Sequence, residues 1–230
     1  MEITTNQQSR DYVILIDKPL RWTSFDVVNK IRYGGKFKKV GHAGTLDPLA
    51  TGLLILCTGK KTKEIETYQA QEKEYTGTFV LGKTTPSVDL ETEFDAEYPT
   101  SHITQEMLEN VVAEMTGIIE QFPPAHSAIK INGKRAYESA RKGEEVIMKS
   151  RQVEVKEFEI NSAEFPIISF RIVCSKGTYI RSMARDFGQK LQSGAYLGSL
   201  RRTKIGAFCV DDALTIEEYL EQLKESENTL

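Results

Sequence analysis

The chain has 230 residues, of which 40% are hydrophobic and 27% charged, and its formal net charge is −3. This composition is typical of one large globular domain and excludes intrinsic disorder. The chain has no run of the about 18 apolar residues that a membrane span needs. Residues 1–10 contain no apolar signal core, so we predict a cytoplasmic protein. The three cysteines, Cys57, Cys174 and Cys209, stand among apolar neighbours, which predicts buried free thiols.

Charge is segregated along the chain. Residues 30–88 carry ten basic and five acidic side chains, and residues 122–210 carry sixteen and eight. Residues 89–121 carry nine acidic and no basic side chains, and residues 211–230 carry seven and one. If the two basic segments share a face, that face would follow a phosphate backbone. The alternative is that the charges mix in three dimensions and only solvate the surface.

The hydrophobic pattern predicts mixed strands and helices without regular βαβ alternation, which indicates an α+β fold. The predicted strands are residues 12–17, 53–57, 74–81, 152–160, 167–175, 196–201 and 204–210. The predicted helices are residues 24–33 with Ser24 as N-cap, 61–71, 104–115 with Thr104 as N-cap, 178–191, and a last helix with a capping box of Thr215 and Glu218. The predicted irregular segments are the loop 41–52, an exposed acidic loop over 84–100, and a basic extension over 127–150 with a turn at Asn132-Gly133.

The loop 41–52, GHAGTLDPLATG, is the most unusual segment. It fits neither the phosphate-loop pattern nor the dinucleotide-binding pattern, so nucleotide binding is disfavoured. What remains is one acid, Asp47, which is either a turn former or a catalytic acid or nucleophile. No CxxC pair occurs and the three histidines lie far apart, so we predict no metal site.

Two further candidates lie later in the chain. Residues 175–182, SKGTYIRS, join a strand to a helix start, where backbone N–H groups favour anions. Tyr179 and Arg181 fall in the first turn of that helix. The alternative to a functional role is that they are ordinary packing and surface residues. Tyr75 lies on a strand face, where an aromatic ring is ordinarily core.

The segments 41–52 and 175–182 closely resemble the two active-site motifs of the TruB family of tRNA pseudouridine synthases. Further similarity follows in the same order between residues 12 and 220. It covers residues 17–19, 73–75, 81–82, 124–130 and 197–202. The resemblance implies a pseudouridine synthase fold: a single catalytic domain over 1–230, with a mainly antiparallel sheet flanked by helices, and a thumb insertion at about 124–151.

The family converts uridine 55 in the T-arm of tRNA to pseudouridine, and the resemblance assigns roles to individual residues. Asp47 matches the catalytic aspartate, acting either as nucleophile or as proton acceptor. Arg181 matches the arginine that pairs with it, and Tyr75 matches the tyrosine that stacks on the target base. Tyr179 and Leu200 match residues that line the uracil pocket.

Other matched positions concern RNA contact and support. His42 matches a histidine that fills space left by flipped-out nucleotides, and Lys18-Pro19 matches a structural motif. Five basic residues of the thumb would hold T-arm phosphates: Lys130, Lys134, Arg135, Arg141 and Lys142. We expect no cofactor because the reaction is redox-neutral. We also expect a monomer with no obligate protein partner and no membrane association.

The sequence departs from the family at three places. Many members carry a C-terminal PUA RNA-binding domain, whereas this chain ends one short acidic helix after the core, so we expect no complete PUA domain. His126 stands where the family usually has tyrosine, and residues 85–89 differ from the usual Thr- and Asp-rich stretch. Three rival functions stay open: an RNA chaperone without catalysis, the same chemistry on another RNA, and a glycosidase. The glycosidase would need a second carboxylate beside Asp47, for which the sequence offers no candidate.

Overall fold

The computed structural model describes residues 10–124, 130–131, 134–135 and 148–228. Its contacts group the chain into two units. The first unit is Met1–Gln71 together with Arg202–Leu230, and the second unit is Glu72–Arg201.

The described strands and helices are numbered in chain order. The strands are β1 (Val13–Lys18), β2 (Val40–His42), β3 (Ala50–Thr58), β4 (Lys73–Leu81), β5 (Lys83–Thr84), β6 (Ala96–Glu97), β7 (Gly117–Gln121), β8 (Lys130–Ile131), β9 (Lys134–Arg135), β10 (Arg151–Glu164), β11 (Ile167–Cys174), β12 (Ala195–Ile205) and β13 (Phe208–Cys209). The helices are α1 (Ser24–Gly34), α2 (Ile65–Ala70), α3 (Gln105–Glu114), α4 (Ile180–Lys190) and α5 (Ile216–Asn228). Two 3₁₀ helices cover Gly59–Glu64 and Val210–Asp212.

The first unit is built around β3, which is buried along nearly its whole length. It pairs antiparallel with β1 and with β2. Side chains that point to one face pack with Val27, Val28 and Ile31 of α1, and those on the other face pack with Ile205 and Val210. Because both faces of β3 are covered, its sequence is a continuous apolar run rather than an alternating one.

The second unit contains an antiparallel sheet in the order β4, β11, β10 and β7. One face carries an aromatic cluster centred on Phe79, whose ring lies 4.3 Å from that of Phe170 and 5.5 Å from that of Phe187 on α4. β12 lies next to β4 in this unit. Its last residues, from Arg202 onward, belong to the first unit, where Lys204 and Ile205 pair with β13.

This architecture confirms the predicted α+β class with a mainly antiparallel sheet. The capping box of Thr215 and Glu218 is present, and Thr104 caps α3 as predicted. No helix in the described part of the chain is long and apolar enough to cross a membrane.

Several predicted boundaries are wrong. The N-cap of α1 is Thr23, not Ser24, because Thr23 and Asp26 form a reciprocal capping box. The two predicted strands 196–201 and 204–210 are largely one continuous strand, β12, followed by the short β13. Residues 61–71 begin as 3₁₀ helix before α2 starts.

Two predictions of exposure are also wrong. The segment 84–100 is not simply exposed, since Thr85, Ser87 and Asp89 are buried. The two hydroxyls are satisfied locally, because those of Thr85 and Ser87 donate to the Asp89 carbonyl over 2.6 and 3.1 Å. Cys57 and Cys174 are buried as predicted, but Cys209 is only half-buried.

Candidate active site

Asp47 lies in the connection from β2 to β3, which is shorter than predicted because both ends of the segment 41–52 are strand. The Asp47 side chain is half-buried. Its backbone carbonyl accepts a hydrogen bond from the Ala50 N–H over 3.0 Å. The next carbonyl, that of Pro48, accepts from the Arg21 N–H over 2.7 Å. Asp47 is therefore held on a fixed backbone.

Lys18, at the end of β1, places a positive charge beside this connection. Its side chain is fully buried, and its ammonium donates to the carbonyls of Trp22 over 2.6 Å, Pro19 over 2.9 Å and Pro48 over 3.5 Å. Burial lowers the pKa of Lys18 to about 8, an effect that the nearby Asp47 carboxylate partly offsets. At neutral pH Lys18 is thus mostly a cation, solvated by carbonyl oxygens instead of water.

Arg202 is a second buried cation of the first unit, with 1% of its surface exposed. Its Nε donates to the Leu53 carbonyl over 2.8 Å, and its Nη2 donates to the Gly44 carbonyl over 3.1 Å. These carbonyls stand on either side of Asp47 in the chain. Gly52 permits the close approach: its φ is +102°, and a Cβ there would lie 2.3 Å from the Arg202 carbonyl oxygen.

His42 ends β2, opposite Leu56 of β3. Burial and the neighbouring Arg202 guanidinium lower the pKa of His42 below its usual value. The imidazole is consequently neutral at pH 7. A neutral, half-buried ring suits the space-filling contact that the resemblance implies.

The remaining site residues predicted from the sequence lie in the second unit. Tyr75 is on β4 opposite Ile172 of β11, and only 9% of its surface is exposed. Leu200 is half-buried on β12. Gly77 lets β4 and β12 approach closely, because a Cβ there would lie 2.2 Å from the Ser199 carbonyl oxygen.

Tyr179 is the N-cap residue of α4, not a residue of its first turn. The buried Gln121 side chain holds its backbone from both sides: Tyr179 N–H donates to Oε1 over 2.7 Å, and Nε2 donates to the Tyr179 carbonyl over 3.1 Å. The Arg151 guanidinium lies 4.6 Å from the centre of the tyrosine ring and donates to the Gly177 carbonyl. The ring is therefore fixed on a rigid backbone with a cation over one face.

Arg181 is buried in the first turn of α4. Its Nη1 donates to the Ser87 carbonyl over 3.1 Å, and its Nε lies 3.7 Å from an Asp89 carboxylate oxygen. Asp89 in turn accepts a hydrogen bond from the Glu91 N–H over 3.0 Å. The segment 85–89, which departs from the family pattern, thus supplies partners to a residue of the second motif. The expected pairing of Arg181 with Asp47 stays a prediction.

The predicted site residues fall into three groups. His42 and Asp47 lie in the first unit, and Tyr75, Tyr179, Arg181 and Leu200 lie in the second. The thumb residues Lys130, Lys134 and Arg135 lie in β8 and β9, which pair antiparallel. Arg141, Lys142, His126 and the Asn132-Gly133 turn lie outside the described residues. Within the described ranges, no group of three or more His, Cys, Asp or Glu could hold a metal ion.

Sequence reasoning assigned no role to four residues that support the site: Arg202, Gln121, Arg151 and Asp89. Each acts on a residue more than 25 positions away, so local periodicity carries no signal for them. Gln121 contacts Tyr179 across 58 positions, and Arg202 contacts Gly44 across 158.

Comparison with known proteins identifies the family. The model of the TruB family pseudouridylate synthase, N-terminal domain, matches residues 32–180. A protein of Phocaeicola vulgatus named tRNA pseudouridine synthase B is 54% identical over 221 residues, which cover 94% of each chain. A protein of the same name from Flavobacterium johnsoniae is 52% identical over 230 residues, which cover 96% of this chain and all of the relative.

The fold has solved counterparts. A chain in the crystal structure of a Cbf5-Nop10-Gar1 complex superposes with a TM-score of 0.74 at 28% identity. The match covers 95% of this chain but only 56% of that one, so the present chain spans little more than half of its length. The family model includes the Asp47 connection and reaches the start of α4. The chain therefore belongs to the TruB family of pseudouridylate synthases.

Proposed function

We propose that this protein isomerises uridine 55 in the T-arm of tRNA to pseudouridine. One observation carries the proposal: the segment that matches the family contains Asp47, on a connection that Lys18 and Arg202 hold through backbone carbonyls. The relatives named tRNA pseudouridine synthase B match along more than nine tenths of the chain. They support tRNA as the substrate class.

The reaction breaks the bond from N1 of uracil to C1′ of the ribose and forms a bond from C5 to C1′. The C5 proton is lost to solvent and N1 gains a proton, so no electrons are exchanged with a cofactor. We propose Asp47 as the catalytic carboxylate, which either attacks as nucleophile or accepts a proton from the ribose. A fixed backbone suits both roles because a misplacement of about 1 Å costs roughly a hundredfold in rate.

The other residues are proposed to bind the flipped target nucleotide. Tyr75 would stack on the base, and Tyr179 and Leu200 would line the pocket. Arg181 would favour the ionised form of the aspartate, and neutral His42 would fill space in the T-loop. Extraction of a stacked base costs a few kcal/mol, which these contacts must offset.

RNA backbone contact is proposed for the thumb, at about 124–151. The basic residues proposed for this contact are Lys130, Lys134, Arg135, Arg141 and Lys142. We propose that the chain works as a single catalytic domain over 1–230, in the cytoplasm, as a monomer with the T-arm stem-loop of tRNA as its partner.

The experiment is tritium release from an unmodified tRNA transcript labelled at C5 of uridine. Wild type is compared with Asp47→Asn, which keeps the size of the side chain but removes its charge. Asp212→Asn, at an exposed position of the same unit, is the matched control. A second transcript lacks uridine at position 55.

We expect release by wild type and by Asp212→Asn, a loss of at least a thousandfold with Asp47→Asn, and none from the substituted transcript. Full release by Asp47→Asn would overturn the catalytic assignment. Release that is independent of position 55 would indicate a different RNA target, and tight binding without release would favour the chaperone.

A further inference from the structure

Ser24 is the first residue of α1, but its hydroxyl does not cap the helix, because Thr23 does so. The Ser24 side chain is buried, with 2% of its surface exposed. Its Oγ accepts a hydrogen bond from the Leu46 N–H over 2.8 Å and donates one to the Leu46 carbonyl over 3.1 Å. One hydroxyl thus satisfies both polar backbone groups of a single residue 22 positions away.

Leu46 directly precedes Asp47, and its own side chain is buried with 3% exposed. On the other side of Asp47, the Pro48 carbonyl accepts from the Arg21 N–H. Ser24, at the start of α1, and Arg21, in the link before it, therefore hold the backbone on the two sides of Asp47. A rotation at Leu46 would break both Ser24 bonds in a buried setting, where unmet polar groups are costly.

We propose that Ser24 is a positioning residue for the Asp47 carboxylate. It touches no reacting atom; it fixes the peptide groups from which the Asp47 side chain projects. The inference rests on the proposed function, since it explains how that carboxylate is kept in place. It also assigns α1 a role beyond packing, because the first residue of this helix is hydrogen-bonded to the Leu46 backbone.

The test compares two neighbouring hydroxyl deletions, Ser24→Ala and Thr23→Ala. Both remove a side-chain hydroxyl at the start of α1, but only Ser24 contacts Leu46. We expect Ser24→Ala to lower kcat in the tritium assay by ten- to a hundredfold, with KM within about threefold of wild type. Thr23→Ala should lower the unfolding midpoint but leave kcat within about twofold. Equal kcat values for the two variants would overturn the proposal.

A second measurement does not depend on catalysis. Hydrogen exchange at the Leu46 amide should be at least tenfold faster in Ser24→Ala than in wild type, while the Leu54 amide of β3 serves as an internal reference. Unchanged exchange at Leu46 would show that Ser24 does not hold this peptide. Ser24→Cys keeps the side-chain shape with a weaker donor, and an intermediate kcat is expected from it; a kcat no higher than that of Ser24→Ala would count against the hydrogen bonds.

If wild type itself shows no release that depends on Asp47, the proposed function fails. The exchange measurement still decides whether Ser24 orders the connection. The two failures are therefore distinguishable.

Discussion

The buried ammonium of Lys18 donates its hydrogen bonds described above to backbone carbonyl oxygens. Burial of a charge is expensive even when it is hydrogen-bonded, and the pKa of about 8 expresses that cost. The cost falls on stability, whereas the benefit is a positive field near Asp47. Strongly perturbed pKa values of this kind cluster at functional sites.

The pH dependence of stability follows from this pKa. The folded-state pKa is below the unfolded value of 10.5, so the unfolded chain binds more protons between about pH 8 and 10.5. Stability due to Lys18 is therefore lowest below pH 8 and rises with pH across that window. We expect the free energy of unfolding of wild type, relative to Lys18→Met, to increase by about 1–2 kcal/mol from pH 8 to 9.5. Urea unfolding of both proteins at several pH values measures this difference in the free energy of unfolding.

The control for this prediction is Lys63→Met, at an exposed position of the same unit. The difference between wild type and this variant should stay within about 0.5 kcal/mol over the same pH range, as is usual for surface substitutions. A flat difference for Lys18→Met would show that its ammonium is well solvated in the folded chain.

At the scale of elements, the segment 84–100 shows how an acidic stretch becomes structural. Asp89 is buried beside the Arg181 guanidinium and lies in a turn closed by the hydroxyls of Thr85 and Ser87. The turn thus links the β4–α3 region to the start of α4. The acidic residues of this segment therefore do more than solvate the surface, because one of them pairs with a buried arginine.

Replacement of Asp89 by asparagine would test this link. The change removes the negative partner of a buried guanidinium, so we expect a loss of about 2–3 kcal/mol in the free energy of unfolding. Asp95→Asn, in the exposed part of the same segment, should cost less than about 1 kcal/mol. Chemical denaturation of both variants at pH 7 gives the comparison. Equal losses of stability would show that the buried pair of Asp89 and Arg181 does not stabilise the fold.

The elements that could be predicted from the sequence are those with strong local patterns. β1, β3, α1 and α3 follow from apolar runs, helical spacing and capping residues. The extent of β12 was not predictable, since Thr203 and the charged residues beside it read as a break until pairing partners are known. The prediction that residues 84–100 form an exposed loop was wrong for a similar reason. Local hydrogen bonds from hydroxyls and a distant arginine allow the acidic Asp89 to be buried.

The site residues likewise divide into those that could be predicted from the sequence and those that could not. Asp47 and Tyr179 stand in segments whose residue pattern is specific enough to identify a family. Gln121 and Arg202 act over long sequence separations through backbone carbonyls and amides, which accept any residue type at the contacted position. Side chains that recognise backbone leave no pattern at the other end of the contact.

At the scale of the whole molecule, the net charge of −3 conceals the feature that matters for an RNA substrate. A polyanion responds to local positive charge, because each phosphate contact releases counterions whatever the total charge of the protein. Acidic segments elsewhere in the sequence keep the total low and reduce nonspecific attraction. Affinity for tRNA should accordingly depend on a few basic positions and on salt.

The thumb provides the test of that view. The double substitution Lys134→Gln and Arg135→Gln, in an Asp47→Asn background that prevents turnover, should weaken binding of a T-arm stem-loop. The slope of log Kd against log salt should fall by about 1–2, since each lost phosphate contact removes roughly one unit. Lys224→Gln, in the acidic helix α5, should leave the slope unchanged. Fluorescence anisotropy from 50 to 300 mM salt gives both slopes, and equal slopes for all the chains would place the RNA backbone away from β9.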